Sequence, residues 1–194
     1  MSEKIPCAAC GTVILPSTAE RTGGLCMPCK NGTRKNIEQA KEYYKREREL
    51  DEICPFRSLW RRLVDKVYKQ EGGFAALSQE EKLYYSANVL IGEVYNGGFI
   101  QYFDNSSGEH YLYAELSLVR LGATNSLKLL RKAKEVLLGS YPVPQDQAER
   151  WAAIRKHSEE PDLDALDVEF YKDTDQLDKK LEIFAIEAGL VKNT

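Results

Sequence analysis

The sequence has no long hydrophobic run. No apolar stretch in the 194 residues approaches the length of about eighteen that a membrane-spanning helix requires. No basic segment followed by an apolar one comes after Met1, so there is no sign of a secretory leader. We therefore expect a cytoplasmic protein that makes no contact with a membrane.

Catalytic motifs are also lacking. The chain has only two histidines, His110 and His157, and neither belongs to an HExxH metal motif. Glycines occur without the GxxxxGK[ST] pattern that cradles phosphate. Four neighbouring residues have the residue types of a catalytic triad: Asp104, Ser106, Ser107 and His110. They lie within seven positions, whereas known triads draw their members from separate segments. We expect a protein that is not an enzyme.

The cysteines are few but closely patterned. Four of the five form two CxxC pairs, Cys7 with Cys10 and Cys26 with Cys29. This spacing is typical of a tetrahedral four-sulfur zinc site, whereas a redox CxxC would need a βαβ pattern that is absent here. Four protein ligands leave no open position, so we predict one structural zinc ion per chain. Cys54 lies apart and is interpreted as a small core residue.

Hydrophobic periodicity divides the chain into three parts. Residues 1–32 form the predicted zinc-ribbon-like segment, 33–54 a charged connecting helix and 55–194 an all-helical domain. Apolar residues recur there at helical spacing, as in Leu59, Leu63 and Val67, and no period-two alternation appears outside the zinc segment. Ser78 and Glu81 predict a capping box, and Thr124 or Asn125 a helix cap. The fold class is predicted to be mainly α.

The most unusual stretch is EVYNGGFIQYFDNSSGE, from Glu93 to Glu109. Asn96, Gly97 and Gly98 lie where an apolar helical stripe ends, and a helix often closes there with a left-handed residue. We interpret these three residues as a structural turn. The aromatic residues that follow are expected to turn back into the core: Phe99, Tyr102 and Phe103.

Charge is distributed unevenly. The formal net charge is only -3, but the first fifty residues are basic and the C-terminal region is strongly acidic. Eleven acidic residues lie between Ser158 and Leu190, against three lysines. The residues chosen as a candidate partner-binding surface are Asp162, Asp164, Asp167, Glu169 and Asp173. An ordinary solvated face is the alternative interpretation.

The segment NGGFIQYFDNSSGE, followed by a helix ending in Leu121-Gly122-Ala123, resembles the signature of the bacterial DNA-mimic protein family. The arrangement of the chain from Pro55 to Leu190 is similar, and the specific stretch runs from Tyr95 to Ala123. The resemblance implies an all-helical domain whose acidic surface replaces the DNA phosphate backbone and occupies a DNA-binding protein. The zinc segment is an addition to that pattern and could change the partner.

Three classes of function stay open. The first is a protein-binding module that holds a basic DNA-binding protein through its acidic residues. The second is an immunity-type antidote that neutralises a toxin. The third is direct nucleic-acid binding through the zinc segment and the basic helix from Arg34 to Arg48, where interleaved acids favour a plain surface helix instead.

Overall fold

The computed structural model describes residues 4–157 and 161–192. The chain forms two compact units, Met1–Cys54 and Pro55–Thr194. Within the described residues, no helix combines the length and apolar character needed to cross a membrane.

The first unit begins with two short antiparallel strands. Strand β1 (Ile5–Pro6) pairs with β2 (Val13–Ile14), so that Ile5 lies opposite Ile14. Helices α1 (Pro16–Thr22), α2 (Met27–Lys30) and α3 (Arg34–Ile53) follow. Each CxxC pair lies at a turn, one after β1 and the other at the start of α2.

Helix α3 buries none of its residues. Ion pairs between neighbouring turns link its side chains, including Arg34 with Glu38 and Lys45 with Glu49. Such pairs contribute only a few tenths of a kcal/mol each in an exposed helix. The helix therefore depends on helix-forming residues and on its attachment at the N-terminal end.

The second unit is helical, and with it the predicted mainly α class is confirmed. Its α-helices are α4 (Pro55–Lys69), α5 (Gln79–Asp104), α6 (Tyr111–Arg120), α7 (Thr124–Leu138), α8 (Gln147–His157), α9 (Asp164–Tyr171) and α10 (Leu177–Glu187). Short 3-10 helices at Gly73–Ala76 and Ser106–His110 precede α5 and α6.

Helix α5 lies at the centre of this unit and contacts α4, α6, α8, α9 and α10. Ala87, Leu90 and Val94 from its first part are fully buried. The predicted capping box at its start is confirmed: Ser78 accepts from the Glu81 backbone N–H, and the Glu81 carboxylate accepts from the Ser78 N–H. Glu81 also pairs with Lys66 of α4 at 2.7 Å, which joins the two helices.

Two details differ from the sequence-based expectations. The predicted cap at Thr124 or Asn125 is wrong, because α7 starts at Thr124 and the N-cap position, Ala123, has no capping side chain. The hydrophobic periodicity of the sequence does not predict helix α9. Its eight residues bury only Phe170, so its apolar periodicity is too short to recognise.

Candidate functional site

The four cysteines of the two CxxC pairs come together in the first unit. The sulfur atoms of Cys7, Cys10, Cys26 and Cys29 all lie within 4.8 Å of one another. Tetrahedral zinc-thiolate bonds of about 2.3 Å place neighbouring sulfurs about 3.8 Å apart. The Sγ atoms of Cys10 and Cys26 are separated by 3.7 Å, so the cluster has the dimensions to hold a metal ion.

Backbone and side-chain donors surround these sulfurs. The Cys26 N–H donates to Cys7 Sγ at 3.1 Å, and the Arg34 guanidinium donates to Cys26 Sγ through Nη2 at 2.9 Å. Arg34 is the first residue of α3, so this contact attaches the helix to the cysteine cluster. Donors of this kind orient metal ligands and stabilise their anionic form.

The thiol pKa values differ within the cluster. The hydrogen bond from the Cys26 N–H lowers the pKa of Cys7 to about 6. The side-chain hydrogen bond between Cys10 and Thr12 lowers the pKa of Cys10, whereas burial raises the pKa of Cys29 to about 12. A metal ion entering the cluster would therefore displace a proton from Cys29.

In the second unit, the glycine pair of the central segment bends α5. Gly97 and Gly98 leave the helical conformation, and Gly98 has φ +75°. The helix then resumes at Phe99, whose backbone N–H donates to Asp167 Oδ1 at 2.8 Å. A Cβ on Gly98 would lie only 2.2 Å from Asp167 Oδ2, so this close approach requires glycine.

Donors from α8 satisfy the last carbonyl groups of α5. The buried guanidinium of Arg150 donates to the carbonyl oxygens of Phe103 and Asn105, both at 2.6 Å, and also to those of Pro144 and Gln145. A Cβ on Gly108 would lie 2.6 Å from Arg150 Nε, so glycine gives the guanidinium room. Burial lowers the pKa of Arg150 from its ordinary value, but an arginine side chain stays charged in proteins. Its positive charge complements the negative end of the helix dipole.

Glu93 connects the two sides of the bend. Its carboxylate accepts from Gln101 Nε2 at 2.6 Å, from Asn105 Nδ2 at 2.8 Å and from the Ser107 hydroxyl at 3.0 Å. Sequence analysis gave Glu93 no role, although it is the only charged residue between Ser86 and Gly98. The sequence signal for a role of Glu93 was that it is a single acidic residue in a helical stretch rich in apolar and amide residues.

The candidate triad residues of this segment are directed to different places. The Ser107 hydroxyl donates to Glu93, while His110 stacks on Phe74 with 4.0 Å between ring centroids. Asp104 lines a surface cavity together with Trp151 and Asp164. Burial lowers the pKa of His110 to about 4, so the imidazole is neutral at neutral pH.

The candidate partner-binding acids fall into two groups. Asp162 and Asp164 are exposed, and half-buried Glu169 forms an ion pair with Lys172. Asp167 and Asp173 are half-buried and accept backbone N–H groups at the starts of helical segments, from Phe99 and Leu177 respectively. Exposed Asp162 also accepts a backbone N–H, from Asp164 at the start of α9. Burial raises the pKa of Asp167. Glu159 and Glu160 of the same acidic region lie outside the described residues.

A third aspartate in this region has a capping role that the sequence did not reveal. Asp175 accepts from both the backbone N–H and the hydroxyl of Ser126, at 2.7 and 2.8 Å. Ser126 lies in the first turn of α7, so Asp175 supplies the cap that Thr124 and Asn125 do not. Nothing local in the sequence links two residues that are 49 positions apart.

Comparison with known proteins gives one match. A family model described as DMP19-like protein matches residues 75–188, which is more than half of the chain. The matched region begins within the 3-10 helix at Gly73–Ala76 and ends one residue after α10, so it includes the whole of the bent helix α5. No curated protein and no solved structure matches the chain.

Proposed function

The chain belongs to the DMP19-like protein family, and from this premise we propose that it is a non-enzymatic protein-binding module that acts as a DNA mimic. The proposed partner is a basic DNA-binding protein. Exposed carboxylates on the C-terminal helices would occupy the surface that this partner uses for DNA. Family membership over the region that carries these carboxylates is the observation that supports the proposal.

The capping contacts narrow the proposed surface. Asp167 and Asp173 are half-buried and accept backbone N–H groups of other segments, so we assign the partner contacts to the exposed Asp162 and Asp164 and to Glu169. Exposed Asp178 and Glu182, one helical turn apart on α10, extend the surface. Carboxylates at this spacing lie about 5–6 Å apart, which is comparable to the phosphate separation along a DNA strand.

The test removes charge while keeping shape. The triple variant Asp162→Asn, Asp164→Asn, Glu169→Gln is compared with a control of equal charge change on exposed acids elsewhere: Glu71→Gln, Glu135→Gln, Glu149→Gln. A DNA-binding protein captured from host extract with the full chain is purified, and displacement of its DNA is measured at several salt concentrations. We expect displacement to weaken steeply with salt and to fall at least about tenfold in the first variant only.

Equal displacement by both variants and the unaltered chain would contradict the mimic proposal. Capture of a secreted nuclease in place of a DNA-binding regulator would support the immunity-type antidote instead. A gel shift of nucleic acid by the full chain, abolished by substitutions of basic residues in α3, would support direct nucleic-acid binding.

For the cysteine cluster we propose a zinc-ribbon-like role with one structural zinc ion per chain. The ligands would be Cys7, Cys10, Cys26 and Cys29, and a complete four-thiolate shell leaves no position for a substrate. The fit of the sulfur separations to a tetrahedral shell supports this proposal.

A further inference from the structure

A cavity of about 660 Å³ lies beside the central bend of α5. Its walls come from α4, from the first part of α5 and from the 3-10 helix at Ser106–His110. The volume falls within the range of small-molecule sites, about 300–1,000 Å³. The residues that line the cavity include Trp60, Tyr85, Glu93, Asn96, Glu109 and His110.

The charge in this cavity has one sign. Glu93 and Glu109 contribute carboxylates, and no lysine or arginine of the described chain is among the lining residues. His110 adds no positive charge near neutral pH, because burial lowers its pKa to about 4. An anionic ligand would therefore meet repulsion without a compensating donor cation.

Glu93 is held in a fixed position but is not neutralised. Its three hydrogen-bond donors are two amides and a hydroxyl, which orient the carboxylate and leave its charge in place. Oε2 accepts two of these bonds and Oε1 only the one from Ser107. A carboxylate oxygen can accept two bonds, so Oε1 can accept another from a ligand.

Two aromatic side chains, Trp60 and Tyr85, line the same cavity as this carboxylate. Trp60 stacks on Tyr85 with ring centroids 5.4 Å apart and an angle of 25° between the planes. The face of an indole or phenol ring attracts a cation through its quadrupole. A cavity lined by carboxylates and aromatic side chains favours a flat or compact organic cation over a neutral molecule.

We propose that this cavity binds a small organic cation with a guanidinium or primary ammonium group. The cationic group donates to Glu93 Oε1, and its alkyl portion lies along Trp60 and Tyr85. This site is separate from the exposed acids Asp162, Asp164 and Glu169, and it does not depend on the DNA-mimic proposal. The same group could come from a free metabolite or from an arginine side chain of a protein.

The two tryptophans provide a built-in reporter and control. Trp60 lines this cavity, whereas Trp151 lines a different one. The full chain labelled with ¹⁵N is titrated with N-butylguanidinium and with N-butylurea, which has a similar shape but no charge. We expect N-butylguanidinium to shift the Trp60 indole signal saturably and to leave the Trp151 signal in place, and N-butylurea to bind at least about tenfold more weakly.

The source of the cation is resolved by a third ligand, N-acetyl-arginine-N-methylamide. Binding equal to that of N-butylguanidinium shows that the cavity accepts an arginine side chain within a peptide. Weaker binding assigns the site to a free small cation. The proposal is overturned if none of the cations moves the Trp60 signal at millimolar concentration, or if the urea binds equally well.

Two substitutions test the role of charge. Glu93→Gln removes the negative charge, and Asn96→Lys places a competing cation at the exposed rim, so each is expected to weaken N-butylguanidinium binding at least tenfold. If Glu93→Gln does not fold, Asn96→Lys still tests the role of charge. Thermal unfolding measurements show whether each variant is folded. The triple variant Asp162→Asn, Asp164→Asn, Glu169→Gln should bind N-butylguanidinium as the unaltered chain does. A loss there would show diffuse attraction to an acidic protein and would contradict a defined site.

Discussion

At the scale of single residues, two glycines of the central segment permit contacts that a larger residue would block. Gly98 brings the backbone against Asp167, and Gly108 brings it against Arg150. Each glycine therefore makes room for a side chain that lies more than forty positions further along the chain. The sequence showed a turn at Asn96, Gly97 and Gly98, but it could not show which side chain would fill the space.

Substitution of Gly98 should be far more damaging than substitution of another glycine in the same helix. Gly98→Ala combines a positive φ with a Cβ placed 2.2 Å from Asp167 Oδ2, and we expect a loss of about 2–4 kcal/mol in unfolding free energy. Gly92→Ala is the control, because its Cβ would meet nothing within 4 Å. It should be neutral or stabilising by up to about 1 kcal/mol. Urea denaturation of both variants measures the difference, and equal stabilities would refute this account of Gly98.

His110 should make stability depend on pH. Its folded pKa is about 4, below the ordinary value of 6.5, because the imidazole is buried against Phe74. Between these values the unfolded chain binds a proton that the folded chain excludes, so stability is full above about pH 6.5 and falls as the pH drops towards 4. The slope is at most about 1.4 kcal/mol per pH unit. His110→Phe keeps an aromatic ring and should flatten the pH dependence of thermal unfolding over this range; an unchanged slope would contradict the assignment.

At the scale of secondary structure elements, several helices of the second unit are stabilised at their ends by side chains from distant parts of the chain. Asp167 caps the second part of α5, and Asp175 caps α7. Arg150 donates hydrogen bonds to the carbonyl groups at the end of α5. The apolar stripes and the local capping box could be predicted because the residues that form them lie only three or four positions apart in the sequence. The long-range caps could not be predicted from the sequence, since the capping residue and the helix end that it caps meet only after the chain has folded.

Arg150 gives the sharpest test of this arrangement. Arg150→Met keeps much of the volume but leaves the carbonyl groups of Phe103 and Asn105 without their buried donor, and we expect a loss of about 3–5 kcal/mol. Arg155→Met on the same helix is the control, because Arg155 is exposed. Its effect should stay within about 0.5 kcal/mol. If the two variants unfold at the same denaturant concentration, the end of α5 does not depend on Arg150.

At the scale of the whole molecule, the two units rely on different sources of stability. The second has a continuous apolar core around α5, whereas the buried apolar residues in the described part of the first are Cys7 and Cys26. The sequence predicted the clustering of the four cysteines well, since CxxC spacing is a local signal with strict geometry. It predicted the acidic surface less well, because four of the described acids between Ser158 and Leu190 accept backbone N–H groups within the fold, which composition alone cannot distinguish: Asp162, Asp167, Asp173 and Asp175.

Removal of the metal should therefore unfold one unit and spare the other. Elemental analysis of protein purified without chelator should find one zinc per chain, and added chelator should expose four reactive thiols in the first unit. Because a segment of this size buries too little apolar surface to fold without its ion, its amide signals should collapse to unfolded positions. Signals of α5 and the thermal midpoint of the second unit should be unchanged, since its core contains no metal ligand. Cys10→Ser, which removes one ligand, should reproduce the loss without chelator, whereas Cys54→Ser should retain the zinc. Zinc-free protein with an intact first unit would show that the cysteine cluster folds through its hydrogen bonds alone.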